Sequence, residues 1–143
     1  PYHMSTPHPE GVGAALAMQR ALACAALAPA AIDYINMHGT ASQVNDSMED
    51  KAISTVFGTN TACSSTKGWT GHALGAAGIT EAVISALCIQ YGLMPGCLNT
   101  RSIDPSFTSQ ILLSNQSGTV QRVLSNSFGF GGSNCSLIFG THP

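Results

Sequence analysis

The segment from His72 to Tyr91 is apolar nearly all round, with Leu74, Ile79, Val83, Ile84, Leu87 and Ile89 leaving no polar face for water. A helix of that kind is stable only when covered on most sides, so the chain must fold in layers with this helix buried among them. Gly68, Gly71, Gly75 and Gly78 bracket its start. Glycine costs roughly 1 kcal/mol in a helix interior, so several at one end must serve something else: close approach of backbone or helix to a neighbour. The core of the run, 79–89, is too short and too interrupted by Glu81 and Ser85 to cross a bilayer, and no membrane partner is expected.

Around this helix the pattern alternates. A first helix is expected from about Glu10 to Leu27, stopped near Pro29. Ile32, Tyr34 and Ile35 predict a short buried strand ending at His38. A polar turn from Ser42 to Asp46 leads into a helix through about Phe57, with Asn45 or Asp46 as cap and Gly58 at its end. A strand around Thr61 to Thr66 precedes the apolar helix. Strands then follow at Gln110 to Leu113, Val120 to Ser127 and Cys135 to Phe139. Helices alternating with strands, then a final strand pair, predict an α/β sandwich: a mixed β-sheet covered by helices.

Charge decides how much of this is surface. Only 8% of the 143 residues are Asp, Glu, Lys or Arg, against about 25% in an ordinary soluble domain. Too few charges remain to cover an isolated fold, so the chain either meets water through Ser, Thr, Asn and Gly or buries much of its outside against further protein, and the second is expected. The start at Pro1 reads as a cut through a longer chain. A net charge of −2 offers no basic face for phosphates, which excludes nucleic acid as a partner.

Cys24, Cys63, Cys88, Cys97 and Cys135 show neither disulfide nor zinc spacing. Inert, buried thiols in a reducing compartment, the cytoplasm, are expected. His3, His8 and His142 lie near the termini, in no spacing that suits a metal. His38 and His72 differ from them. The first opens His38-Gly39-Thr40 after a strand, and the second closes Lys67-Gly68-Trp69-Thr70-Gly71-His72 before a helix. Two separately placed imidazoles with a lysine beside one read as chemistry. If the helix begins near Gly71, the positive end of its dipole keeps His72 a neutral N–H donor.

Four stretches carry a resemblance: Ile35-Asn36-Met37-His38-Gly39-Thr40 with Asn45, Asp46 and Glu49; Ser64-Ser65-Thr66-Lys67 with Thr70-Gly71-His72; Leu74-Gly75-Ala76-Ala77-Gly78 with Glu81; and Asn126-Ser127-Phe128-Gly129-Phe130-Gly131-Gly132-Ser133-Asn134. In this order and spacing the chain resembles the C-terminal portion of a β-ketoacyl-acyl carrier protein synthase, a condensing enzyme of the thiolase-like superfamily. The implied fold is the C-terminal half of a thiolase-like layered fold. The implied reaction is a decarboxylative Claisen condensation in fatty acid or polyketide-type biosynthesis. A cysteine in the N-terminal half of the same synthase would accept the acyl group, and His38 and His72 would be the donors that stabilise the enolate left by malonyl carrier.

The resemblance also implies a buried Lys67–Glu81 pair that organises the site. It implies an acyl gate lined by Phe128 and Phe130, and hydroxyl contacts to phosphopantetheine from Thr40 and Ser42, the latter standing where threonine is usual. No cofactor is implied beyond the phosphopantetheine that carries the substrates. The implied partners are an acyl carrier protein, the N-terminal half, and a second subunit in a homodimer or heterodimer. Alone, the chain is expected to be inactive as a synthase. Cys63, in Thr61-Ala62-Cys63-Ser64-Ser65, imitates the family's nucleophile motif but runs into a strand, where no helix N-terminus lowers a thiol pKa. Two other readings stay open: a noncatalytic, chain-length-controlling partner subunit, and a self-contained Cys-His acyltransferase using Cys63.

Overall fold

A computed structural model describes residues 3–141; the expectation for His142 lies outside the described residues. The first helix is α1 (Val12–Cys24), followed by strand β1 (Tyr34–Asn36), helix α2 (Gln43–Phe57) and strand β2 (Ala62–Ser64). A single helical turn, α3 (Lys67–Thr70), and the long helix α4 (Ala77–Tyr91) come next. The remaining strands are β3 (Leu93–Met94), β4 (Gln110–Ile111), β5 (Gln116–Ser117), β6 (Arg122–Phe128) and β7 (Asn134–Gly140). The main sheet has the order β4-β2-β1-β6-β7. Its first four strands run parallel and β7 returns antiparallel to β6, which makes the sheet mixed. β3 and β5 form a separate antiparallel pair whose two-residue strands are too short to show a period.

Alternation along β1 divides the interior. Ile35 packs with Met18, Ile53, Cys63 and Leu124 beneath α1 and α2, while Tyr34 packs with Val123 and Cys88 on the α4 side. Successive strand residues point to opposite faces, so a three-residue strand serves two cores.

Three expectations need correction. The cap of α2 is Ser42, whose Oγ accepts from the Asn45 N–H at 3.4 Å. The apolar helix begins at Ala77, after a short turn over Leu74–Ala76, so its N-terminus does not lie at His72. Its burial also runs opposite to expectation. Ala77, Glu81, Ser85 and Cys88 face the sheet, whereas Ile79 is 67% exposed and Val83 52%. Only one side of α4 has a layer to pack on in this chain. Among the bracketing glycines, Gly68 and Gly78 have close neighbours, while Gly71 and Gly75 have open space where a Cβ would stand.

The bilayer argument also changes. With a mean hydropathy of 1.4 over its 18 residues, Leu74–Tyr91 is long and apolar enough to cross a membrane. In this fold its buried face, Ala77, Glu81, Ser85 and Cys88, packs on the sheet, and Glu81 pairs with Lys67.

Candidate active site

Parallel strands β2, β1 and β6 lie side by side, so their carboxyl ends share one edge, the usual location of sites in such sheets. His38 lies two residues past β1, Lys67 three past β2, and Phe128 is the last residue of β6. Residues distant in sequence therefore meet. The His38 ring lies edge-on to His72 with centroids 5.4 Å apart, and 5.8 Å from the ring of Phe128.

Lys67 is buried and uses its three ammonium protons on fixed acceptors: the His38 carbonyl, His38 Nδ1 at 3.3 Å, and the Glu81 carboxylate. An ammonium has no lone pair, so the Nδ1 it contacts must be the acceptor. The remaining nitrogen of His38, Nε2, therefore carries the proton. Burial, then the neighbouring Lys67 and His72, lower the His38 pKa to about 4 and keep the ring neutral. His72 reaches the same tautomer by another route. The Leu74 N–H donates to its Nδ1 at 3.3 Å, which leaves Nε2 as the N–H. Burial raises the Glu81 carboxyl, and Lys67 works against that rise.

Glu49 is the residue whose role the sequence did not reveal. It is fully buried, and its two carboxylate oxygens accept the backbone N–H groups of His38 (2.9 Å) and Gly39 (2.8 Å). Asn126 Nδ2 adds a third donor at 3.2 Å, and Ser136 fixes Asn126 in turn. Burial outweighs these donors and raises the carboxyl to about 6. The available signal was its place in the stretch that follows His38, on a helix whose buried residues Met48, Ala52 and Ile53 are apolar and whose only other buried carboxylate is Asp50.

After His38 the backbone turns sharply. Gly39 has φ +38°, and a Cβ there would lie 2.4 Å from Ser65 Cβ, so no other residue fits. Ala41 also adopts a left-handed φ of 62°, which is strained for a residue with a side chain. This turn brings Thr40 Oγ1 to 3.1 Å from Ser42 Oγ.

The aromatic pair divides: Phe128 touches His38, while Phe130 is 83% exposed in the following short turn. Cys63 is completely buried in β2, and burial raises its thiol far above the usual range, so no thiolate forms. Contrary to expectation, Cys24 and Cys135 are exposed. His3 and His8 accept the N–H groups of Ser5 and Glu10 and stand apart from this cluster.

The pKa of His38 has a consequence for stability. Its folded value is depressed, so between about pH 4 and pH 6.5 the unfolded chain binds the extra proton, and stability falls as pH falls through that window. The shift corresponds to about 3 kcal/mol. The raised pKa of Glu49 acts oppositely, removing stability as pH rises through about 6. Urea unfolding of wild type and His38→Gln at pH 7 and pH 4 separates the two contributions: the variant is expected to lose less stability on acidification. Identical pH dependence in both proteins would refute the buried neutral imidazole.

The family model described as the C-terminal domain of beta-ketoacyl synthase matches residues 1–101. The mitochondrial 3-oxoacyl-[acyl-carrier-protein] synthase of Arabidopsis thaliana is 46% identical over 96% of this chain and 32% of its own length. A ketosynthase from Xenorhabdus doucetiae, solved in complex with its chain length factor, superposes with a TM-score of 0.93 at 48% identity, covering 99% of this chain and 36% of the other. A ketosynthase bound to its type II PKS acyl-carrier protein gives 0.93 at 29% identity, again over 99% of this chain and 36% of the other. The chain thus spans about a third of the length of these relatives, and its α/β fold is that of thiolase-like ketosynthases. From the family match over residues 1–101 and the shared fold, the chain belongs to the β-ketoacyl synthase family and corresponds to its C-terminal domain.

Proposed function

We propose that this chain supplies the decarboxylation half of a β-ketoacyl synthase site, with His38 and His72 as its catalytic donors. The observation that carries the reading is the pair of adjacent imidazoles, each with Nδ1 occupied as an acceptor and Nε2 left as N–H. Loss of carbon dioxide from a malonyl thioester breaks a carbon–carbon bond and leaves the electron pair as an enolate. The enolate oxygen then gains charge that two preorganised N–H donors stabilise. The carbanion attacks an acyl-cysteine of the N-terminal half, a new carbon–carbon bond forms, and the cysteine thiolate leaves.

In this reading the substrates arrive on phosphopantetheine of an acyl carrier protein, with Thr40 and Ser42 meeting the arm. Phe128 and Phe130 line the acyl entrance, and the chain itself needs no resident cofactor. The apolar outer stripe of α4 (Ile79, Val83, Leu87) would be covered by the N-terminal half, and the complete synthase would pair with an identical or related subunit. The free cysteines suit a reducing compartment, the cytoplasm.

Two measurements test this. The synthase containing the chain is expected to release carbon dioxide from malonyl carrier. The 143-residue chain alone, incubated with an acyl carrier thioester, should show no mass increase at Cys63. A stoichiometric acyl adduct at that cysteine would replace this reading with a self-contained acyltransferase.

A further inference from the structure

We propose that residues 95–98 form a cradle that positions Lys67 against His38, and that Trp69 is a positioning residue locking α3 into it. The inference rests on the decarboxylation reading of the site. Each residue of the quartet engages one residue beside Lys67. The Pro95 carbonyl accepts from Ser64 Oγ at 2.5 Å, and the Gly96 carbonyl from Trp69 Nε1 at 3.2 Å. Cys97 Sγ accepts from the Ser65 N–H at 3.3 Å. At Leu98 the approach is steric: a Cβ on Gly68 would lie 2.8 Å from the Leu98 carbonyl oxygen.

The cradle itself is anchored. Cys97 N–H donates to the Leu112 carbonyl at 2.8 Å, Leu112 N–H to the Cys63 carbonyl of β2 at 2.8 Å, and Gly96 N–H to Asn115 Oδ1 at 2.9 Å. Ser64 has one hydroxyl proton and gives it to Pro95, so Tyr34 OH must be the donor in the 2.6 Å Tyr34–Ser64 contact. The quartet is thereby tied to the two strands whose ends carry His38 and Lys67.

External support is needed because α3 is one turn of four residues, and a single turn does not hold itself together in water. The three acceptors of Lys67 belong to the His38 segment and α4 and cannot follow a sliding α3. Trp69 contributes a directional bond from a rigid ring, although 55% of its surface stays exposed. Its bond to Gly96 ties the turn to the same quartet that Gly68 packs against.

The test uses the intact synthase carrying Trp69→Phe, which keeps an aromatic ring and loses the N–H, and separately Cys97→Ala. Carbon dioxide release from malonyl carrier and acyl transfer to the synthase's own nucleophile are measured for each. Both variants are expected to lower the kcat of decarboxylation about tenfold, with KM within twofold and acyl transfer at the wild-type rate. The proposal is overturned if decarboxylation stays within twofold of wild type in both, or if the two activities fall in equal proportion, as loss of folded protein would produce. A wild-type synthase that acylates but does not decarboxylate malonyl carrier sinks the underlying reading instead, and the role of the cradle with it.

Discussion

His38→Ala is expected to reduce malonyl-carrier decarboxylation by the synthase containing this chain about 10²–10³-fold, the usual loss when one preorganised donor to a developing oxyanion is removed. The effect should fall on kcat, because the donor matters most when charge appears on the thioester oxygen. His72→Ala should act in the same direction. Since both imidazoles serve one intermediate, the double substitution should cost less than the product of the single losses. His38→Gln returns an amide N–H and should recover part of the rate. The measurement is carbon dioxide release at saturating malonyl carrier. Decarboxylation within twofold of wild type in His38→Ala would remove this histidine from the chemistry.

The second large effect concerns Lys67 and Glu81, whose ion pair is almost completely excluded from water. Glu81→Ala leaves the ammonium buried without its carboxylate, and Lys67→Met leaves the reverse. Either should cost about 3–5 kcal/mol of stability. The double variant Lys67→Met with Glu81→Leu removes both charges and should recover most of that loss, because replacing a buried pair with apolar groups is often neutral. Its activity should stay low, since nothing would then hold His38 Nδ1 and the His38 carbonyl. Recovered folding with absent decarboxylation is the expected signature, read from denaturant midpoints and carbon dioxide release on the same preparations. Single variants that cost less than about 1 kcal/mol would mean that water reaches the pair.

Much of the site was legible because its residues occur in short, ordered stretches. His38 ends a strand, Lys67 follows another, and each glycine-containing turn is written locally. The α2 boundary was nearly legible, but the choice of cap was not. Ser42, Asn45 and Asp46 all cap helices well, and the geometry of the Gly39–Ala41 turn selected Ser42. Glu49 was hidden for a different reason. Its partners are backbone N–H groups ten and eleven residues away, plus Asn126 and, at 3.5 Å, the Asn45 side chain, and no side-chain pattern announces a backbone acceptor. The start of α4 was misplaced because apolar composition continues through Leu74–Ala76, where the backbone is already a different turn.

The amino-acid sequence by itself determined the alternation of helices and strands, the identity of the two imidazoles and the lysine, and the shortage of charge that calls for further protein around the fold. Those properties are local or compositional, and period, turn chemistry and residue type express them directly. Tertiary structure alone decided which face of α4 is buried, which nitrogen of His38 carries the proton, and what holds Lys67 in place. Each of these depends on contacts between segments far apart in the chain. Burial of Glu81 and Ser85, with Ile79 and Val83 left outside, shows the difference most clearly: hydropathy demands that a helix be covered, but only the sheet beside it settles which side is covered first.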